Sequence, residues 1–169
     1  MTIPASRAAL VGLATGARSV SGIAALSLFA SADTGQQPDR TLGRTWVKAL
    51  LGVAAVAELV GDKLPVTPSR LSPWQFGGRL AAGAAVGLIL ARRPSEGALS
   101  RSPARVVMEP VSARDTVATV AVAVSSAAVG TCLGAGWRGS AARRFGKDWV
   151  GAGIEDLAAV ALALGGARP

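Results

Sequence analysis

Residues 116–137 read TVATVAVAVSSAAVGTCLGAGW, 22 residues without a charge, between Asp115 and Arg138. About 20 mainly apolar residues in a helix cross the ~30 Å hydrocarbon core of a bilayer. Four further runs share this character: Ala8–Ala32, Gly43–Gly61, Trp74–Ala91 and Trp149–Ala167. In lipid each backbone group needs an internal partner, so such runs are expected to be helical. The chain therefore reads as all-α, a polytopic transmembrane bundle of about five Ala/Gly-rich helices, forming one integral membrane domain over residues 1–169.

The aromatic residues support this reading. Phe29, Trp46, Trp74, Phe76, Trp137, Phe145 and Trp149 all lie near the edges of apolar runs. Amphipathic rings gather at headgroup level, whereas a soluble core would use them mid-element. The chain is 50% hydrophobic and 17% charged, and its 21 glycines keep the mean hydropathy to +0.42.

The net charge is +8. The basic residues lie mostly between the apolar runs, without the interleaved aromatics of a base-stacking surface. Anionic lipid headgroups are the expected partner, and nucleic acid is not. The chain has no histidine, which excludes His-based zinc sites and Ser-His catalysis. Cys132 is the one cysteine, so no internal disulfide forms. No cofactor is expected.

The first run imitates a signal peptide, with Arg7 before it and Ala30-Ser31-Ala32 as a cleavage-like end. Arg18 in its middle argues against removal. Between runs, 33–42 reads as a polar turn and 62–72, with two prolines, as a stiff link. Residues 92–115 read as a long polar loop, and 138–148 as a basic stretch lying along the membrane surface. Five spans put Arg7, Lys63, Arg70, Arg138, Arg143, Arg144 and Lys147 on one side. Arg40, Arg44, Arg92, Arg93, Arg101, Arg105, Arg114 and Arg168 fall on the other, so the positive-inside rule selects no orientation.

Two constellations stand out. Gly12/Gly16, Gly83/Gly87 and Gly130/Gly134 are small-residue pairs four apart, suited to close helix approach within the bundle or between copies. Arg18, Glu58, Glu155 and Asp156 are charges inside apolar runs, each costing about 2.5–3.5 kcal/mol at a bilayer centre. They should face inward and pair, with Arg18 meeting Glu58 or Glu155. Asp62 lies one turn beyond Glu58, and Arg79 either points inward and offsets one carboxylate or, close to its helix end, reaches the surface. One firm cation against three carboxylates leaves a surplus carboxylate, the hint of an ion or proton path. The chain's ends also echo each other, Gly12-x3-Gly16-x-Arg18 against Gly130-x3-Gly134 and Arg138. If the two echoing helices run in opposite directions, this is an inverted repeat.

Ala57-Glu58-Leu59-Val60-Gly61-Asp62-Lys63-Leu64-Pro65, continuing to Pro68-Ser69-Arg70, resembles the bacterial family of small multi-pass membrane proteins called domain of unknown function 4126. The likeness extends to Gly16-x-Arg18-Ser19 and Glu155-Asp156. It implies a bacterial plasma-membrane location and singles out Arg18, Glu58, Asp62, Lys63, Pro65, Ser69, Arg70, Glu155 and Asp156, without supplying an activity. Ser21-Gly22 stand where the pattern leads to a proline, so no proline kink is carried over.

The expected function is a small transporter or channel-like protein. Its buried site for an ion, proton or small solute comprises Arg18, Glu58, Glu155 and Asp156, with Asp62, Lys63 and Arg70 at the mouth. The alternative is a non-catalytic scaffold subunit of a cell-envelope membrane complex, engaging a second copy or other subunits. No nucleophile–base pair accompanies Lys63, Ser69 and Arg70, so a headgroup-directed enzyme is not expected.

Overall fold

The computed structural model describes residues 5–33, 37–61, 71–93, 112–145 and 148–168. Helix is the only regular secondary structure among them. The helices are α1 (Ala5–Ala17), α2 (Ser21–Leu28), α3 (Asp39–Leu42), α4 (Thr45–Gly61), α5 (Pro73–Ala91), α6 (Ala113–Phe145) and α7 (Asp148–Ala167). Two of them contain stretches long and apolar enough to cross a membrane, Ala113–Ala141 in α6 and Val150–Ala167 in α7.

The first apolar run is not one span. It breaks at Arg18–Val20 and α2 folds back along α1. The Ser21 hydroxyl donates to the Ala14 carbonyl at 3.0 Å and to the Arg18 carbonyl at 2.8 Å. Seven residues separate Ser21 from Ala14, about 10 Å in a continuous helix, so the short bond requires a reversal. Gly22 closes the hairpin, because a Cβ there would collide with Thr15 Oγ1 and crowd Val11. At 13 and 8 residues, the two arms are about 20 and 12 Å long. Neither matches the ~30 Å core.

The remaining directions follow from paired contacts. Arg7 meets Gly166 while Arg18 meets Asp156, so α7 runs antiparallel to α1. Glu58 meets Ser19 while Lys48 meets Leu28, so α4 opposes α2. Gly83 packs on Ala127 and Gly87 on Val120, so α5 opposes α6. Trp137 bonds Gly151 and Arg138 bonds Glu155, making α6 and α7 an antiparallel pair. Setting aside the four-residue α3, the helices alternate up and down in the order α1, α2, α4, α5, α6, α7. It follows that α1 and α6 run parallel, and the echo between them is not an inverted repeat.

The core lies around α1. Ala8, Val11, Ala14, Leu26, Val86 and Leu90 are buried together with Ala163 and Ala167. Small residues set the spacing: a Cβ on Gly12 would meet the Ala123 carbonyl at 2.5 Å, and one on Gly16 would collide with the Ala127 carbonyl. Gly83 and Gly87 face α6, while Gly130 approaches the Leu13 carbonyl. These glycines serve contacts inside the bundle. Gly134 is buried beside a groove described below.

Two expected connections also differ. Helix α6 runs unbroken to Phe145, so 138–145 is a helical extension rather than a separate surface stretch. It begins at Ala113, so 113–115 belongs to the helix and not to the 92–115 loop, and Arg93 is docked at 9% exposure. Most of that loop lies outside the described residues.

Candidate functional site

A helix reversal releases backbone groups that a continuous helix would pair. At Arg18–Val20 these groups sit inside the bundle, and charged side chains from three other helices collect around them.

The carbonyl side is held by Arg79 of α5. Its Nη1 donates to the Gly16 and Ala17 carbonyls, both at 2.7 Å, and its side chain is 3% exposed. The Thr131 hydroxyl of α6 adds a bond to Gly16 at 3.1 Å. A guanidinium suits the negative end of α1. Arg79 thus points inward and does not reach for the surface.

The amide side is held by Glu58 of α4. The Ser19 amide donates to Oε1 at 2.6 Å and the Val20 amide to Oε2 at 2.9 Å. A carboxylate suits the positive end of α2. Arg79 Nη2 and Glu58 Oε1 lie 4.0 Å apart, so the two clamps also neutralise each other.

Arg18 projects from the reversal and pairs with Asp156 of α7. Glu58 caps α2, and Glu155 accepts from Arg138 of α6 at 3.1 Å. Arg18, Arg79 and Arg138 therefore stand against Glu58, Glu155 and Asp156. No surplus carboxylate remains in this set, because the two added arginines turn inward.

A third buried arginine completes the pattern. Arg93 donates to the Leu26 carbonyl at 2.6 Å and to Asp39 at 2.8 Å. The carbonyl ends of both hairpin arms are thus held by arginines of one helix and its edge. Fourteen residues separate Arg79 from Arg93, nearly four turns, which puts both on one face. That spacing was readable in the sequence, as was the placement of Arg79 within an Ala/Gly-rich helix.

Of the residues expected at the site, Arg18, Glu58, Glu155 and Asp156 come together at the tip. Asp62, Lys63 and Arg70 lie outside the described residues, as do Pro65 and Ser69. Sequence reasoning missed Arg138, Arg93 and the reversal itself, and left Arg79 open between an inward and a surface placement. Among the described residues, no group of three His, Cys, Asp or Glu side chains could hold a metal.

The arrangement keeps irregular backbone deep in a helical bundle and brackets it with charge of both signs. No known family, curated protein or solved structure matches this chain. The likeness to domain of unknown function 4126 rests on its motif residues alone.

Proposed function

We propose that this chain is a multi-pass protein of the bacterial plasma membrane. It acts as a small transporter or channel-like protein, and the Arg18–Val20 tip is its site for an ion, proton or small solute. One observation carries this reading: a re-entrant hairpin whose released amides and carbonyls are held by Glu58 and Arg79. Non-helical backbone at membrane depth is tolerated where protein buries it, and broken helices of this kind build the sites of many transporters.

The surface supports the membrane part. Leu50, Val53, Leu133, Leu157 and Trp74 are all more than half exposed. Only 28% of the apolar window of α6 and 39% of that of α7 are buried. A core helix of a soluble protein would be mostly covered, and water would not favour so much exposed apolar surface.

The hairpin also changes the charge tally. With α1 and α2 entering and leaving on one side, Arg7, Arg40, Arg44, Lys48, Arg92, Arg93, Arg114 and Arg168 fall at one end of the described bundle. Arg138, Arg143 and Arg144 fall at the other. Among the described residues the split is eight against three, an excess that puts the hairpin's open end in the cytoplasm. Reporter fusions after residue 168 and within 62–70 test this: the first should read cytoplasmic and the second external. The reverse pattern overturns the orientation.

Flux tests the function. In proteoliposomes, Glu58→Gln and Asp156→Asn should each cut ion or proton flux at least about tenfold, as removal of a conducting-site charge would. Unchanged flux with intact assembly would make the charges structural. The scaffold alternative is favoured by α4, whose apolar side is largely uncovered, and predicts a stoichiometric foreign subunit on gentle extraction.

A further inference from the structure

Helices α6 and α7 are pinned together at one end and parted below it. At the pinned end a Cβ on Gly151 would lie 2.5 Å from the Ala141 Cβ, and Trp137 Nε1 donates to the Gly151 carbonyl at 2.9 Å. Lower down α1 wedges between them. The result is a groove of about 650 Å³ floored by Leu13 and Ala17 of α1. Leu133, Ile154 and Leu162 form its walls, and Trp137, Ser140 and Glu155 its polar end.

We infer that this groove holds one acyl chain of an anionic phospholipid from the surrounding bilayer. Its length fits. From Gly130 to Ser140, α6 rises about 15 Å, half the ~30 Å hydrocarbon core and so the depth of one leaflet. The mouth fits as well. Trp137 sits there with its ring held by the Gly151 bond, as aromatic residues do at headgroup level. Arg143 Nη2 donates to Ser140 Oγ at 3.3 Å, which turns that guanidinium toward the mouth, and Arg144 follows it. Both arginines are exposed. Glu155 is neutralised by Arg138, so the mouth is net positive. A lipid phosphate without a compensating cation complements it, and a zwitterionic headgroup does so less well. The floor from α1 makes the bound chain a neighbour of the hairpin.

The inference rests on the membrane reading, and the experiment separates the two. Membranes from cells making the tagged chain are first washed with alkaline carbonate. A chain released by the wash overturns the membrane reading, and the lipid site with it. A retained chain is purified in mild detergent and analysed by native mass spectrometry with phosphatidylglycerol and phosphatidylcholine of matched acyl chains. One bound phosphatidylglycerol per chain is expected, preferred about tenfold. Arg143→Gln with Arg144→Gln should remove the preference. Ala158→Trp, at an exposed groove position, should abolish retention of both lipids while leaving the elution profile unchanged. Cys132 lines the groove and is exposed, so saturating phosphatidylglycerol should slow its maleimide labelling at least about fivefold in the native chain but not in Ala158→Trp. Equal retention of both lipids, or labelling indifferent to lipid, overturns the proposal.

Discussion

Helices α1 and α4 are both apolar, and each ends beside the charged tip, yet they are held in opposite ways. Helix α1 has 13 residues, of which Ala8, Val11, Gly12, Ala14, Thr15 and Gly16 are buried, and it packs against α5, α6 and α7. Helix α4 has 17 residues, and Val47 is its buried one. It touches the hairpin through α2 and the short α3, and its polar contacts sit near its ends, at Lys48 and Glu58. One helix is fixed by close contact along its length. The other is attached near its ends and leaves Trp46, Leu50, Val53 and Val60 uncovered. In lipid such exposure carries no hydrophobic cost, so helix association there depends on fit and polar bonds. Fit holds α1, and polar bonds hold α4.

The sharpest way to break this contrast is to put side chains on glycines of the two helices. Gly16→Leu drives a side chain into the Ala127 carbonyl, and we expect loss of the monodisperse species on size exclusion, a destabilisation above about 4 kcal/mol. Gly52→Leu on α4 meets nothing within 4 Å and should change stability by less than about 0.5 kcal/mol, a shift of about 1–2 °C in the melting midpoint. If the two variants behave alike, α4 is packed in a way the contrast denies.

Removing a clamp comes next. Arg79→Met strands the Gly16 and Ala17 carbonyls and leaves Glu58 facing the tip without this guanidinium. Loss of one partner of a buried pair costs about 3–5 kcal/mol. Thermal unfolding in detergent should show a drop of that size. A double-mutant cycle with Glu58→Gln should return a coupling of about 1–3 kcal/mol, and additivity would mean the clamps act separately.

The smallest effect belongs to the uncovered side of α4. Leu50→Ala and Val53→Ala remove side chains that are 58% and 68% exposed, and each should alter stability by less than about 0.5 kcal/mol. A larger loss in the membrane, absent in detergent, would reveal a partner on that side and favour the scaffold reading.

The helical class was legible because Ala/Gly-rich runs of this length have one solution in lipid. The runs behind α4, α5, α6 and α7 each became a helix. The run from Ala8 to Ala32 did not become one, and its length was what misled: a largely apolar run of 25 residues fits a single span as well as a hairpin. The reversal depends on Ser21 bonding back to Ala14 and on Gly22 passing Thr15, contacts no periodicity reports. The missing proline was no obstacle, since serine and glycine made the turn. The inward charges were legible individually because of their cost in lipid. Their partners were not, because pairing depends on helix direction, and the extra reversal changed every direction after α1.

The two arginines at Arg79 and Arg93 have a last consequence. They touch the hairpin at two points along one face, so α5 acts as a gauge that fixes where both arms end. Inserting a single alanine after Ala85 would lengthen α5 by about 1.5 Å and rotate Arg93 by about 100° relative to Arg79. Only one of the two carbonyl ends could then be held. The number of residues between the arginines, and not only their identity, is thus part of what the hairpin requires, and this segment should tolerate exchange of one small residue for another far better than any change of length.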